Sequence, residues 1–588
     1  MPPNAINTIS PSLEGGRKRI AVVGSGLAGL TTAHLLSLNE EYEVHIFEKS
    51  SEFGADAASI TLPIKDENGW TETRVDVPAR AFSRDYYPSL TAMYEHLGIS
   101  FQPADYSLSF SEFDQKLEKP SQPIFSYRNV KYKGYSIPFP DVFEKYCENM
   151  PERTQILAEW MRFSMFANEA ARTNSLLSFP GSIGSFLKLH NYSEKFQHAI
   201  FIPFLSSICT CSYTTVANMP ASDVLDFFAT SILSEPVLKV RAGIRDVCKK
   251  LSENVHSIRF NCTVKSIYRD EERSEANPES PSLVVQTGSG EKFEFHHVIM
   301  ATQGINAYKI FLPASPPSAQ LSATVDFKYE YTLVVTHKDP KLMPENRDDW
   351  RGINLFKATN YPQQHKSQKH VPEQTIGFSD QVMSTIWINR AEDKDFEENI
   401  FQTVNPLVEP DPATVINRTW FHRSVLSPAS HHAIDQLHQI QGRDNIWFVG
   451  AYVYPGIPLL EGCVQSSMEV CEALGVTAPW GIRSHKFCDS GKRTHGLRDG
   501  FSRAGYVDHY FNRPKERCST WSISSLVMCF VNAIFAAFMW SLENPVIRSE
   551  RMANAVISVW YLLVAFVTRI IRFFVMASQS VRDSKKQI

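Results

Sequence analysis

Three glycines near the amino terminus, Gly24, Gly26 and Gly29, have the spacing of a turn that binds the phosphates of a nucleotide. Gly24 permits a tight strand-to-helix turn, and Gly26 has no side chain, so a pyrophosphate can approach the backbone. Gly29 allows the following helix to pack closely on the strands. The amino terminus of that helix would direct unpaired N–H groups and the positive end of its dipole at the phosphates.

An acidic residue completes this pattern. Glu48, nineteen residues after Gly29, ends a second apolar β-run and is placed to accept hydrogen bonds from a ribose diol. A carboxylate at this place argues against a 2′-phosphate, and therefore against NADP. Because strand, turn, helix, strand and acid all stand at the expected spacing, the segment predicts a dinucleotide site. No second Gly-x-Gly-x-x-Gly follows a predicted strand, so a separate NAD(P)H domain is not predicted.

The composition is that of a multidomain globular protein. The chain has 588 residues, 43% of them apolar, which is enough for sizeable cores. The formal net charge is −4 with acids and bases nearly balanced, so no nucleic-acid partner is predicted. The ten cysteines are dispersed, without a Cys-x-x-Cys pair or a Cys/His cluster at zinc spacing. We therefore predict free thiols, a reducing compartment and no metal site.

Two apolar segments near the carboxyl terminus predict a transmembrane helical hairpin. Residues 518–542 contain no charged residue and are long enough to cross a bilayer as a helix. A second apolar run begins at Met552 and is flanked by basic residues able to snorkel. The predicted hairpin covers 518–577, between a linker over 478–517 and a basic tail over 578–588.

The flanks of this hairpin are basic, which places them and the large amino-terminal part in the cytosol. Lys585 and Lys586 resemble the dilysine retrieval signal of endoplasmic-reticulum membrane proteins, although a generic basic tail would read the same. The prediction is a protein of the endoplasmic-reticulum membrane whose folded domain faces the cytosol, with membrane lipid as the partner of the hairpin. Two alternatives stay open: one span followed by an interfacial helix, or a buried hairpin of a soluble protein.

Predicted strands recur at the start, middle and end of the globular part. The segments 264–268 and 283–287 indicate a hairpin, while 298–301 and 446–450 indicate later strands. The stretch from about 140 to 235 is mostly helical and rich in aromatic residues. This order implies one α/β domain interrupted by insertions that form a second domain.

Several blocks between residues 19 and 475 resemble the flavin-containing amine oxidoreductase superfamily (amine oxidase/phytoene desaturase-like), in its branch of predicted NAD/FAD-binding proteins. The blocks are 24–48, 54–59, 76–82 with 87–90, 201–221, 240–243, 299–302 and 447–462. The chain departs from the family pattern at Ala55, Pro78 and Ala242, where the family usually has glycine.

This resemblance implies an α/β fold with a discontinuous Rossmann-like FAD-binding domain and an inserted α+β substrate domain, to which the membrane hairpin is added. The globular part would cover 18–477 after a disordered segment over 1–17. The implied FAD-binding parts are about 18–60, 238–312 and 436–477, and the implied substrate domain is about 61–237 and 313–435.

The resemblance also implies FAD as the cofactor. The implied cofactor-binding residues are Gly24, Ser25, Gly26, Leu27, Ala28, Gly29, Glu48, Lys49, Arg80, Val264, Ala301, Thr302, Gly450, Glu461 and Gly462. Glu48 would hold the adenosine ribose, and Val264 would pair its backbone with adenine. Gly450, Glu461 and Gly462 would place a second helix amino terminus near the flavin end of the diphosphate.

By the same resemblance, the protein is expected to be an FAD-dependent oxidoreductase, amine oxidase-like. It would oxidise or desaturate a small lipophilic or amine substrate by hydride transfer to flavin N5. The predicted membrane anchor and the aromatic-rich middle favour a lipophilic substrate. One alternative is a redox-neutral flavin-dependent isomerase of unsaturated lipids. Another is a non-catalytic, membrane-anchored flavoprotein-like scaffold.

No catalytic residue can be assigned from the sequence. Tyr452 and Tyr454 follow the implied cofactor glycine and would either line the flavin face or serve as packing aromatics. His431 and His432 lie in a polar stretch and fit surface positions better than catalytic ones. The segment 201–228 would either line a substrate tunnel or form the core of a helical domain, and the core is the simpler interpretation.

Overall fold

The computed structural model describes residues 16–480, with gaps at 67–68, 85, 115, 133–134, 141–149, 173–174, 177–178, 180, 232–236, 271, 273–279, 312–323, 325, 360–379 and 395. The chain divides into two compact units, Met1–Val507 and Asp508–Ile588, and every described residue belongs to the first. The predicted membrane hairpin and basic tail lie outside the described residues. Among the residues that are described, no helix combines the length and apolar character needed to cross a bilayer.

The described residues form twelve α-helices and twenty-one strands. The helices are α1 Leu27–Ser37, α2 Pro88–His96, α3 Met150–Arg172, α4 Ile183–Leu189, α5 Ile202–Cys209, α6 Tyr213–Ala217, α7 Ala221–Ser231, α8 Ile244–Ser252, α9 Gly304–Phe311, α10 Ile388–Ala391, α11 Pro428–Ile440 and α12 Leu460–Ala473. The strands are β1 Lys18–Val23, β2 Tyr42–Phe47, β3 Ile60–Asp66, β4 Gly69–Val75, β5 Phe101–Pro103, β6 Leu108–Asp114, β7 Lys119–Pro120, β8 Phe125–Tyr132, β9 Tyr135–Pro140, β10 Leu238–Val240, β11 Ser257–Arg259, β12 Val264–Arg269, β13 Leu283–Thr287, β14 Lys292–Phe295, β15 His297–Met300, β16 Tyr329–His337, β17 Ile353–Ala358, β18 Val382–Trp387, β19 Phe401–Val404, β20 Val415–Ser424 and β21 Ile446–Phe448.

A five-stranded parallel sheet, in the order β11-β2-β1-β15-β21, carries the glycine-rich turn. Its central strand β1 pairs with β2 on one side and β15 on the other, so that Ala21 lies opposite His45 and Val298. The last four residues of β1 are all buried, as expected for a parallel strand that is covered on both faces. Helix α1 packs against α8 and α12 beside this sheet. The predicted Rossmann-like α/β class is confirmed.

The predicted hairpin after this sheet's edge strand is also confirmed. Strands β12 and β13 pair in antiparallel fashion, with Ile267 opposite Val285, and β14 adds a third strand. Apolar side chains of this small sheet, among them Val264 and Phe295, share a buried cluster with Phe47 at the end of β2. Because Ala21, Val298 and Met300 belong to the same cluster, the hairpin packs against one face of the parallel sheet.

A second, nine-stranded mixed sheet is built from two distant stretches of the chain. Its order is β20-β16-β19-β18-β17-β6-β8-β9, with β7 paired to β6. Strands β6 and β17 run parallel, with Leu108 opposite Ile353, and the other neighbours run antiparallel. This single parallel contact joins the earlier strands to the later ones.

The helical middle of the chain is held together by interlocking aromatic rings. Phe163 of α3 lies edge-on to Phe201 and Phe228, with ring centroids 4.5 and 4.9 Å apart. Phe201 and Phe228 stack at 5.1 Å, and no more than 2% of any of the three residues is exposed. Edge-to-face and stacked pairs of this kind stabilise beyond the area that they bury. These rings of the 201–228 segment thus form a core and do not line a tunnel.

Truncating the central ring tests this core. We expect Phe163→Ala to lower the free energy of unfolding by about 3–5 kcal/mol, because it removes a buried aromatic side chain and leaves a cavity. The matched control is Leu189→Ala at the end of α4, where the side chain is 78% exposed and little should change. Chemical denaturation of the full-length protein measures both, and equal midpoints for the two variants would contradict the assignment.

Candidate nucleotide-binding site

The turn between β1 and α1 is closed by two contacts that exclude any side chain. Gly24 has φ +106°, and a Cβ built there would lie 2.7 Å from the carbonyl oxygen of Ala301. A Cβ at Gly29 would lie only 2.1 Å from the carbonyl oxygen of Gly24. Both predicted roles, the tight turn and the close helix packing, are therefore seen in the structure.

Gly26 differs from these two glycines because its surroundings are open. A Cβ at this position would meet no atom within 4 Å, and its φ of −67° is accessible to any residue. Gly26 is the N-cap of α1, and no side chain of the described residues caps that helix end. The first N–H groups of a helix have no intrahelical partner, so this end suits an anion that approaches the backbone.

The carboxylate of Glu48 fastens the turn from the side. Its Oε2 accepts hydrogen bonds from the backbone N–H of Ser25 at 2.9 Å and from the Ser25 hydroxyl at 2.6 Å. Its Oε1 accepts one from the N–H of Ser50 at 2.9 Å. A carboxylate has about four acceptor positions, so one on Oε1 is left for a ribose hydroxyl. Glu48 thus positions the turn itself, a role that the sequence pattern did not indicate.

A second turn, at the place where the family has paired glycines, packs on the first. The N–H of Gly54 donates to the Ser25 hydroxyl at 2.8 Å, and the N–H of Ala55 donates to the Ser25 carbonyl at 3.2 Å. A Cβ at Gly54 would come within 2.8 Å of Glu48 Oε2. Ala55, one of the departures from the family pattern, is accommodated here through its backbone.

Two arginines beside these turns, Arg80 and Arg423, form no hydrogen bond with an acid among the described residues, although Asp76 interacts electrostatically with Arg80. Arg80 Nη2 donates to the Ala55 carbonyl at 2.7 Å, but its buried Nη1 has no hydrogen-bond partner among the described residues. The buried Nε of Arg423 likewise has no hydrogen-bond partner in the part of the chain that the structure describes. Burial, together with the charge of Arg80, lowers the pKa of Arg423 to about 10. Two neighbouring cations with unsatisfied donors are unfavourable unless an anion joins them.

The start of α12 approaches the same place. The pKa of Cys463, in the first turn of α12, is influenced by the backbone of Ala451 and Ala28 and by the charges of Arg423 and Arg80, so these groups lie near one another. Burial raises the pKa of this thiol to about 11, so it remains protonated at neutral pH. The first turns of α1 and α12 and the two arginines therefore converge on one region.

Gly450 and Gly462, near the amino terminus of α12, allow close packing of the backbone. A Cβ at Gly462 would lie 3.1 Å from the Ala451 carbonyl, and the N–H of Gly450 donates to the Ser466 hydroxyl at 3.0 Å. Glu461 is buried, and its two carboxylate oxygens accept the N–H groups of Ser89 and Leu90 in the first turn of α2, each at 3.0 Å. Burial raises its pKa. The Glu461 side chain therefore joins α12 to α2.

The other predicted site residues take varied places. Leu27 and Ala28 are buried in the first turn of α1, whereas Lys49 is exposed. Val264 begins β12, with its side chain in the cluster around Phe47. The N–H of Ala301 donates to the Val23 carbonyl at 3.0 Å, and Thr302 lies directly after it, next to Gly24.

Tyr452 and Tyr454 are buried, and His431 and His432 lie on α11. Tyr452 belongs to the main apolar cluster and lies edge-on to Phe327 at 4.9 Å. His431 lies on α11 with its Nε2 3.2 Å from Asp223 Oδ2, and the exposed His432 contacts Gln436 on the same helix. None of these contacts places a proton acceptor beside the glycine turn.

The comparisons with known proteins agree with this geometry. Residues 22–97 match the family of NAD(P)-binding Rossmann-like domains. This stretch contains the glycine turn, Glu48, the Gly54 turn and Arg80, and it therefore belongs to a Rossmann-like dinucleotide-binding unit. The match bears out the predicted Rossmann-like dinucleotide-binding unit at this end of the chain. No curated protein matches the chain.

Three solved structures are similar to the chain over most of its length. One is a CLA-producing fatty acid isomerase from P. acnes (14% identity, 77% of this chain and 98% of that chain, TM-score 0.47). A second is cyclohexylamine oxidase from Brevibacterium oxydans IH-35A (11% identity, 78% of this chain and 100% of that chain, TM-score 0.47). A third is a putrescine oxidase double mutant redesigned in cofactor binding (12% identity, 78% of this chain and 99% of that chain, TM-score 0.46). Likenesses this distant carry no argument about substrate or reaction.

The contrast between Gly26 and Gly29 gives a matched pair of variants. We expect Gly26→Ala to fold as the parent does but to retain much less nucleotide cofactor, because a methyl group fills the space left for the phosphates. Gly26→Asp should abolish retention through bulk and like charge. Gly29→Ala should instead destabilise the protein itself, because its Cβ overlaps a backbone oxygen.

Cofactor content per chain and thermal unfolding of the cofactor-free protein separate these effects. Stoichiometric cofactor in Gly26→Asp would contradict the assignment of the turn. An unfolding temperature lowered as much by Gly26→Ala as by Gly29→Ala would contradict the open space at Gly26.

Proposed function

We propose that the protein is an FAD-dependent oxidoreductase. The observation that supports this proposal best is the pairing of a bare helix amino terminus at Gly26 with two cations, Arg80 and Arg423, that have unsatisfied buried donors. A diphosphate would offer oxygens to both, and arginine is suited to bind such oxygens. The Rossmann-like match over 22–97 is consistent with a dinucleotide as the source of the diphosphate.

Each residue of the site has a defined task in this proposal. The backbone from Gly24 to Gly29 would receive the diphosphate, and Arg80 would neutralise it while holding the Gly54 turn through the Ala55 carbonyl. The remaining acceptor position of Glu48 would take a ribose hydroxyl. When bound, FAD would supply two-electron redox chemistry at its N5 atom. The chain would supply binding, orientation and a site shielded from water.

The substrate that we propose is small and either lipophilic or an amine. The predicted hairpin over 518–577 supports the lipophilic case, because an enzyme held at a bilayer meets compounds dissolved there. The presence of one dinucleotide motif in the sequence also permits a redox-neutral isomerase of unsaturated lipids, since such a reaction needs no second nucleotide. The two reactions differ in whether an electron acceptor is consumed.

Anaerobic photometry of the purified full-length protein tests the function. We expect a yellow protein whose absorbance at about 450 nm is bleached by one member of a lipid and amine panel, because a two-electron transfer reduces the flavin. Product formation without bleaching and without any acceptor would instead establish the isomerase. A colourless protein that takes up no added FAD would contradict the proposal and favour the scaffold.

We also propose that the protein resides in the endoplasmic-reticulum membrane with its folded domain in the cytosol. Deleting 518–588 should move the protein from the alkali-resistant membrane pellet to the supernatant, because both apolar segments are then lost. The matched control deletes only 578–588 and should leave the protein in the pellet. Replacing Lys585 and Lys586 by alanine should shift it to later secretory membranes. A pelleted 518–588 deletion would refute the anchor.

A further inference from the structure

Three side chains of types that can ligate a metal lie together at the amino-terminal edge of the parallel sheet. Glu43 and His45 are two residues apart on β2 and therefore lie on the same face of that strand. His256 directly precedes β11, which pairs with β2 so that Ser257 lies opposite His45. One ligand atom from each of the three side chains lies within 4.8 Å of the other two.

We propose that Glu43, His45 and His256 bind one Zn²⁺ ion. Two imidazole nitrogens and one carboxylate oxygen are a donor set that zinc accepts, with a fourth position open to water. The proposed site is distinct from the nucleotide-binding turn, since Glu43 precedes Glu48 by five strand residues, or about 16 Å.

The distances already approach those of a zinc site. His45 Nε2 is 2.6 Å and His256 Nε2 is 3.6 Å from Glu43 Oε1. In a tetrahedral site with bonds of about 2.0–2.1 Å, neighbouring ligand atoms are roughly 3.3 Å apart. These two separations lie on either side of that value, and all three ligand atoms lie within 4.8 Å of one another. Because two of the ligands are fixed by one strand, most of the geometry is set in advance.

The protonation and exposure of the histidines also suit a metal. His45 is buried, with 7% of the residue exposed. Its Nε2 now shares a hydrogen with Glu43, and a neutral ring that carries its hydrogen on Nδ1 instead frees Nε2 for the ion. The His256 side chain is 49% exposed, which provides a path of entry and room for a water ligand.

One cation competes with the proposed ion. Arg19 lies opposite Glu43 on β1, and its Nε is 3.5 Å from Glu43 Oε1. Its guanidinium also lies over the ring of Phe295, 5.0 Å from the centroid, so it has a second contact. A positive charge at this distance weakens binding of another cation. Removing it should therefore raise the affinity for zinc.

Equilibrium dialysis of metal-free, full-length protein against Zn²⁺, followed by elemental analysis, tests the site. We expect the parent to bind one more zinc per chain than His256→Asn or Glu43→Gln at the same free zinc concentration. The control is His432→Asn, which removes an exposed histidine of α11 and should bind as the parent does. Arg19→Met should bind several-fold more tightly.

Cobalt provides a second measurement, because Co²⁺ in a tetrahedral nitrogen and oxygen site has visible bands that the parent should show and His256→Asn should lack. The proposal is overturned if His256→Asn and Glu43→Gln bind as much zinc as the parent, or if the parent binds none. The control for folding is the thermal unfolding temperature measured in the presence of a chelator. Equal temperatures for parent and variants show that a variant which binds no zinc is still folded.

Discussion

The close contact between α1 and the turn that precedes it is the constraint on which the nucleotide site depends. At Gly29 the helix comes so near the Gly24 carbonyl that no side chain fits between them. This contact fixes the direction of the helix axis relative to β1, and with it the direction of the unpaired N–H groups at Gly26. The open space in front of Gly26 can receive an anion only because α1 is held in a fixed direction.

Buried charge is distributed unevenly around this turn, and the imbalance indicates the ligand. The acids are satisfied within the protein: Glu48 by Ser25 and Ser50, and Glu461 by the first turn of α2. The cations Arg80 and Arg423 each retain a buried donor that has no acceptor among the described residues. Since unpaired buried donors cost free energy, the site as a whole favours an anion with several oxygens. The carboxylates of Glu48 and Glu461 serve as braces that orient the neighbouring helix ends.

Local patterns in the sequence were sufficient to predict the turn, the parallel strands and the β12–β13 hairpin, because each depends on residues close together in the chain. Arg423 could not be predicted as part of the site, since no motif surrounds it and only the long second sheet brings β20 near Arg80. The histidine cluster could not be predicted for the same reason. His45 and His256 are brought together by strand pairing and are far apart in the sequence. The predicted substrate-domain and cofactor-domain boundaries and the membrane hairpin remain predictions.

The order of strands in the parallel sheet has a consequence for biosynthesis. Strand β1 is translated early, but its neighbour β15 follows more than 270 residues later, and β21 later still. At about 5–20 residues per second, the ribosome leaves the glycine turn without its Ala301 support for tens of seconds. During that interval the exposed edge of β1 is a natural substrate for chaperones. The glycine turn is therefore completed only after nearly the whole globular part has been synthesised.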